Sequence, residues 1–315
     1  MSFVSDTFTD TAAVLVENHT GETGASWTKH GFGTGTAAIS DANRARCTSA
    51  GASLFYASGI PTDADYRVLM TLTCKSAATG IAGICGRVAT GANTWYQVRH
   101  VNGTGWRLSK IVTGTETVLV SGGSASLSAG VDYEAELRMT GSTISIWIDG
   151  VQIGSDVTDS DITAAGRVGI RFATSSTDTT RYHIDKIDGT EPPNSLTYSE
   201  NPAAYTVGTA IAANNPTSGG GAPTSYTVAP ALPTGLSLNA GTGVITGTPT
   251  VATAQATYVV TATNAAGSTT ANLVITVNAA AATPAGGSGW ITVRRLKETR
   301  SLYARMIAWR LRLRR

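Results

Sequence analysis

Trp95-Tyr96-Gln97-Val98-Arg99-His100, running through the Asn102-Gly103 pair into Trp106-Arg107-Leu108-Ser109-Lys110, is the stretch on which the fold turns. Two runs of aromatic and β-branched residues flank a dipeptide suited to the positive φ angles of a tight hairpin turn. In a strand, successive side chains point to opposite faces. Trp95, Gln97 and Arg99 therefore share one face, and Tyr96, Val98 and His100 share the other.

The same alternation recurs on both sides of this hairpin. From Val68 onward, Tyr66–Thr73 places Val68, Met70 and Leu72 together, and a third hairpin joins Tyr133–Met139 to Ile144–Ile148 through Thr140-Gly141-Ser142. Gly166–Phe172 and Tyr182–Ile187 follow as further strands, with Gly, Ser, Thr and Asp between the runs. No amphipathic helix of useful length interrupts them. The pattern predicts an all-β sandwich over roughly residues 1–191.

Composition agrees with sheets. Only 14% of the 315 residues are charged, and Gly alone supplies 35 of them. The net charge of +2 conceals an asymmetry, because residues 290–315 hold nine Lys/Arg against the single acid Glu298. Between Pro192 and Gly289 the only charged side chain is Glu200. The three cysteines, Cys47, Cys74 and Cys85, are too few and too scattered for a disulfide framework or a zinc site. They read as reduced thiols, with a bridge between Cys74 and Cys85 left open. The opening MSFVSDTFTD lacks an apolar run of signal-peptide length. Synthesis in a cytoplasm is therefore expected, with release by another route such as assembly into a particle.

With these residues in view, the first segment resembles the concanavalin A-like lectin/glucanase jelly rolls of laminin-G type. The resemblance is carried by Asp6-Thr7-Phe8 with Trp27, by Tyr96 to Arg99, by Trp106 to Lys110 and by Ile146–Gly150. Ala165–Gly169 and Tyr182-x-Ile184-Asp185 add to it. It implies an architecture rather than an activity. Glu191-Pro192-Pro193-Asn194 marks a boundary, since paired prolines stop a strand. Residues 192–278 then resemble the immunoglobulin-like repeat of bacterial and phage surface proteins, on the string Leu232-Pro233-Thr234-Gly235-Leu236-Ser237-Leu238 followed by Thr242–Pro249. That likeness implies a spacer or weak adhesive module. One Glu cannot supply the acid cluster of a calcium-dependent sandwich.

Residues 279–289 form a small-residue linker, and 290–315 a basic segment, helical in part on the stripe Leu302, Met306, Trp309 and Leu313. Together with Arg300, Arg305, Arg310 and Arg312, that stripe is expected to dock the chain on an acidic partner. Nucleic-acid contact is the second reading and a membrane surface the third.

Catalytic patterns were weighed and set aside. Asp132-Tyr133-Glu134-Ala135-Glu136 offers alternating acids, as a retaining glycosidase needs. The simpler reading buries Tyr133, Ala135, Leu137 and Met139 and leaves Asp132, Glu134, Glu136 and Arg138 in water. His19, His30, His100 and His183 fall in no nucleophile signature or metal spacing, so no cofactor is expected. Gly31-Phe32-Gly33-Thr34-Gly35 is read as a turn. Binding is favoured instead, with Trp95, Gln97 and Arg99 as an exposed glycan contact beside the core residues Tyr96, Val98 and Trp106.

The sequence-level expectation is thus a non-enzymatic bacteriophage virion protein of capsid or tail. It would pair with other virion proteins, host-surface glycans or further copies of itself. A polysaccharide depolymerase and a bacterial surface adhesin are the alternatives.

Overall fold

The computed structural model describes residues 2–10, 14–40, 43–74, 80–174 and 182–281. The expected linker falls mostly outside them and the basic segment entirely so, with Arg300, Leu302, Arg305, Met306, Trp309, Arg310, Arg312 and Leu313. Among the described residues the chain is built from strands, with one 3-10 turn at Val16–Asn18. No helix there is long and apolar enough to cross a membrane.

Two antiparallel sheets make the jelly roll. The nine-stranded sheet runs in the order Val151–Gln152, Thr143–Ile148, Asp132–Thr140, Tyr66–Cys74, Tyr182–Thr190, Ala45–Cys47 and Ala37–Ile39. Val4–Asp6 adds to Tyr182–Thr190, and Val157–Thr158 to Thr143–Ile148. The seven-stranded sheet runs Thr115–Gly122, Gly105–Val112, Trp95–Val101, Gly80–Val88, Arg167–Thr174, Gly51–Ala57 and Trp27–Lys29. Its second and third strands are the hairpin read from sequence, with Gln97 opposite Ser109 and a positive φ at Gly103.

The inward rows meet in one core. Val68, Met70 and Leu72 from one sheet pack with Ile84, Tyr96, Val98, Leu108 and Ile170 from the other, all fully buried. Cys74 faces this core, whereas Cys85 lies in a separate cluster with Leu54, Val88, Trp95 and Ile111 on the far side of its sheet. The two thiols sit in different sheets and none of the three cysteines is in a disulfide, which settles the bridge left open by the sequence.

Polar side chains fasten the ends of the sandwich. Arg87, fully buried, donates to the carbonyls of Ala64, Gly141 and Ile162, tying three turns together. Asp6, 1% exposed, accepts from the Trp27 indole at 2.5 Å, from the Phe8 amide at 2.6 Å and from His19 Nε2 at 2.9 Å. Asp10 sits 3.2 Å from the other His19 nitrogen.

Residues 193–277 carry a second, separate core of Tyr198, Tyr205, Tyr226, Ile245, Tyr258, Val260, Leu273 and Ile275. Its main sheet orders Ala203–Thr206, Gly267–Asn278, Thr253–Asn264 and Ser225–Ala229, the first pair parallel. The LPTGLSL and TGVITGTP strings form a small ladder, Leu236–Leu238 against Ile245–Gly247. Gly247, opposite Leu236 in it, and Gly235, just ahead of it, have φ +133 and +95, and a Cβ on Gly247 would lie 2.1 Å from the Gly235 carbonyl oxygen. Only glycine fits that approach.

The junction between the two cores is Glu191. Its buried carboxylate accepts from the Thr62 hydroxyl and the Thr62 and Asp63 amides of the jelly roll. Its carbonyl accepts from Asn264 Nδ2 at 2.7 Å, on the other side of the boundary.

The His19 contacts generate a pH dependence. Burial disfavours the imidazolium, but hydrogen bonds and charge from Asp6 and Asp10 outweigh it and raise the His19 pKa above the ordinary 6.5. Stability from this source is fully present below 6.5 and is lost as pH rises through the raised folded-state value. In urea unfolding, His19→Gln should therefore lose more stability at about pH 5.5 than at about pH 9. An equal loss at both would refute the assignment.

Candidate functional site

On the outer face of the seven-stranded sheet several polar residues sit deep, Gln97, Arg99, Ser109 and Arg171 among them. Pairing sets three rows across it. Leu54, Arg171, Gly83, Arg99 and Arg107 are in register across five strands. The adjacent row holds Tyr56, Gly169, Cys85, Gln97 and Ser109. The third brings Trp95 beside Ile111 and Glu116.

Alternation separates the side chains as expected: Tyr96, Val98 and Trp106 are core, and Trp95, Gln97 and Arg99 take the opposite face. The expectation that this trio is exposed is overturned. Trp95 and Gln97 are 0% exposed and Arg99 6%. The physical reason is a cover supplied from far upstream. The segment after Trp27–Lys29 bonds to the backbone of Gly51–Ala57 through the His30 and Gly35 amides. It lays Phe32 edge-on to Trp95 with centroids 5.2 Å apart, and His30 closes a second edge at 5.7 Å. Gly31–Gly35, read as a plain turn, is the arm that carries this cover. The buried indole offers no platform for a sugar ring.

Gln97 is the hub of the polar part. Its Oε1 accepts from Trp95 Nε1 at 3.3 Å and from Arg171 Nη1, and its Nε2 donates to Glu116 Oε1 at 3.2 Å. Arg99 donates to the same Glu116 oxygen. Burial alone would raise the Glu116 carboxyl, but bonding from Arg99 and the charges of Arg99 and Arg171 hold it below its ordinary value. Burial lowers the Arg171 guanidinium, and the like charge of Arg99 adds to this. Burial also pushes the Cys85 thiol up to about 12, so it stays protonated and inert. Phe32, half-buried, lies under the Arg171 guanidinium at 5.3 Å.

The acids singled out in sequence lie on the outer face of the other sheet. Asp132 and Glu134 are exposed, as read. Glu136 is not in water: Arg67 bonds it at 3.0 Å and Arg138 clasps both its oxygens at 2.9 Å, leaving it buried. Arg138 also stacks on Trp147, 4.0 Å from the ring centroid. With both oxygens taken by guanidiniums, the Glu136 carboxylate has none free to face a bound substrate. Among the described residues no group of three or more His, Cys, Asp or Glu could hold a metal ion. Sequence reasoning missed Phe32, Glu116 and Arg171, since nothing local links these positions to residues 95–99.

Residues 187–278 match the family model described as "Putative Ig domain". No curated protein matches this chain in sequence. Among solved structures, the chain is similar to the carbohydrate binding module CBM66 from Bacillus subtilis, at 17% identity and a TM-score of 0.41, over 51% of this chain and 94% of that one. It is also similar to the VIP36 exoplasmic/lumenal domain in its Ca2+-bound form, at 12% identity and 0.41, over 56% and 88% of the two chains. A protein with a galectin-like fold from Bacillus subtilis follows at 12% and 0.40, over 52% and 88%. The jelly roll itself is read from the strand order above.

If Trp95 is a packing residue, Trp95→Ala should cost about 3–5 kcal/mol of unfolding free energy in urea titration. A cost below about 1 kcal/mol would contradict the covered position described here.

Proposed function

We propose that this chain is a non-catalytic attachment protein. Its jelly roll takes up a glycan on the outer face of the seven-stranded sheet, its immunoglobulin-like domain is a spacer, and its basic segment docks it on the capsid or tail of a bacteriophage particle. The observation that carries the glycan reading is the company kept by Phe32. A half-buried ring stands beside a row of guanidiniums on the sheet face that the main core leaves free. Saccharides are held by such pairings, an aromatic ring for their apolar face and planar donors for their oxygens.

Hydrolysis is disfavoured by what the acids are already doing. Glycosidases need two carboxyls flanking a bond, one free to protonate it. Glu116 is engaged by Arg99 and Gln97, and Glu136 by Arg67 and Arg138. The particle reading is supported by the sequence of the second domain and by the nine basic residues of 290–315.

Two measurements test the two halves. On a glycan array the whole protein should bind at least one saccharide class, and Phe32→Ala should weaken it about tenfold in protein that still unfolds cooperatively, at a somewhat lower melting temperature. Absence of binding to every member would refute the glycan half. Deleting residues 290–315 should abolish incorporation into particles while both sandwiches stay folded, and incorporation that survives would refute the docking half.

A further inference from the structure

We infer that a groove at one end of the seven-stranded sheet takes the free carboxylate end of a polypeptide whose last residue is aliphatic. The assignment goes beyond the glycan reading and does not depend on it. The groove has a volume of about 380 Å³ and is walled by Ile60, Val88, Ala89 and Ala165. Arg167 is the one charged side chain on its walls among the described residues. It opens where the turns after Gly51–Ala57 and Gly80–Val88 meet the start of Arg167–Thr174. Ile60 is 59% exposed there, a large aliphatic side chain left in water beside a cavity.

The Arg167 guanidinium is fixed in place but not used up. Its Nη1 donates to the Ser58 carbonyl at 2.5 Å and to the Ala57 carbonyl at 3.3 Å. The group also lies over the Tyr56 ring, 5.6 Å from the centroid. None of these contacts engages Nε or Nη2, and no carboxylate pairs with Arg167 among the described residues. The residue is half-buried, and neither nitrogen is sealed from solvent. The edge formed by Nε and Nη2 presents two parallel N–H groups, the fork that accepts both oxygens of a carboxylate.

The walls are already in position. His30 Nε2 donates to the Ala89 carbonyl at 3.1 Å, and the Ala89 amide bonds the Thr94 carbonyl at 3.0 Å. On the other side the Ser58 amide bonds the Ser26 carbonyl at 2.7 Å, and the Glu191 carboxylate holds the Thr62 hydroxyl. A cavity that needs no ordering keeps more of its contact energy for the ligand.

The chemistry of the walls decides the occupant. A guanidinium without a counter-charge calls for an anion, and its planar fork favours a carboxylate. Four aliphatic walls offer hydroxyls no partner, so a uronate ring would lose hydrogen bonds to water in this place. A hydrated phosphate or sulfate meets the same objection. The end of a polypeptide satisfies both halves, because its carboxylate and its last side chain are joined to one α-carbon. Capture of that carboxylate is a recurring mode of peptide recognition.

The test titrates the whole protein against short fluorescent glycine–serine peptides that end in valine or leucine, beside the same peptides amidated at the terminal carboxylate. The free acids should bind about tenfold more tightly than the amides, the usual weight of a charge-assisted contact. Arg167→Gln should erase that difference, and Arg167→Lys, which keeps the charge but loses the fork, should retain only part of it. Ile60→Ser, at an exposed position, should stay folded and lose the preference for valine or leucine over glycine as the last residue. If Arg167→Gln fails to fold, the Thr90, Gly91 and Gly166 amide resonances of the wild-type protein should shift with the acid peptide and stay put with the amidated one. Equal affinity for acid and amide, a preference that survives Arg167→Gln or Ile60→Ser, or binding of no peptide would overturn the inference. Acidic oligosaccharides that shift those resonances while the peptides do not would assign the groove to a glycan and refute the peptide reading.

Discussion

A strand covered on both sides must satisfy its polar groups from within, and Trp95–Val101 is covered on both sides. Its even-numbered residues enter the core of the sandwich, and its odd-numbered ones lie beneath a second layer closed by Phe32. Water cannot answer Gln97 or Arg99 there, so the neighbouring strands must. Arg171, Glu116 and the Trp95 indole converge on the Gln97 amide from three directions. Removing Glu116 would strand the buried Gln97 amide donor, which costs more than the bond itself is worth. The centre of the sheet is thereby locked, and the same lock gathers more guanidiniums than carboxylates.

This arrangement separates what is legible in a sequence from what is not. The hairpin could be read because Asn102-Gly103 and a period of two act over a few residues. The split of Tyr96 and Val98 from Trp95 and Arg99 follows from the same period. Exposure is another matter, since it depends on what arrives from elsewhere. Phe32 belongs to a segment far earlier in the chain, and nothing near Trp95 announces it. Glu136 shows the same limit: alternation put it on the correct face, yet Arg67 crosses from the adjacent strand to bury it. Cys74 and Cys85 look like partners across a loop, but that loop joins two different sheets.

Motif strings behave differently. The paired glycines of the second domain mark a backbone contact that tolerates no side chain, and so the string survives as a recognisable signature. Asp6 with Trp27 is of the same kind, one buried carboxylate gathering an indole, an amide and an imidazole. Signatures of this sort report geometry, and they are silent on ligands.

Glu191 gives the protein a mechanical property. The residue's side chain is anchored in Thr62 and Asp63, while its own main chain is gripped by Asn264. Tension drawn along the polypeptide beyond Glu191 therefore does not fall first on Tyr182–Thr190, which lies between Tyr66–Cys74 and Ala45–Cys47 in its sheet. It is delivered through one α-carbon into a turn on the opposite side of the sequence, as a cleat takes the strain off a knot.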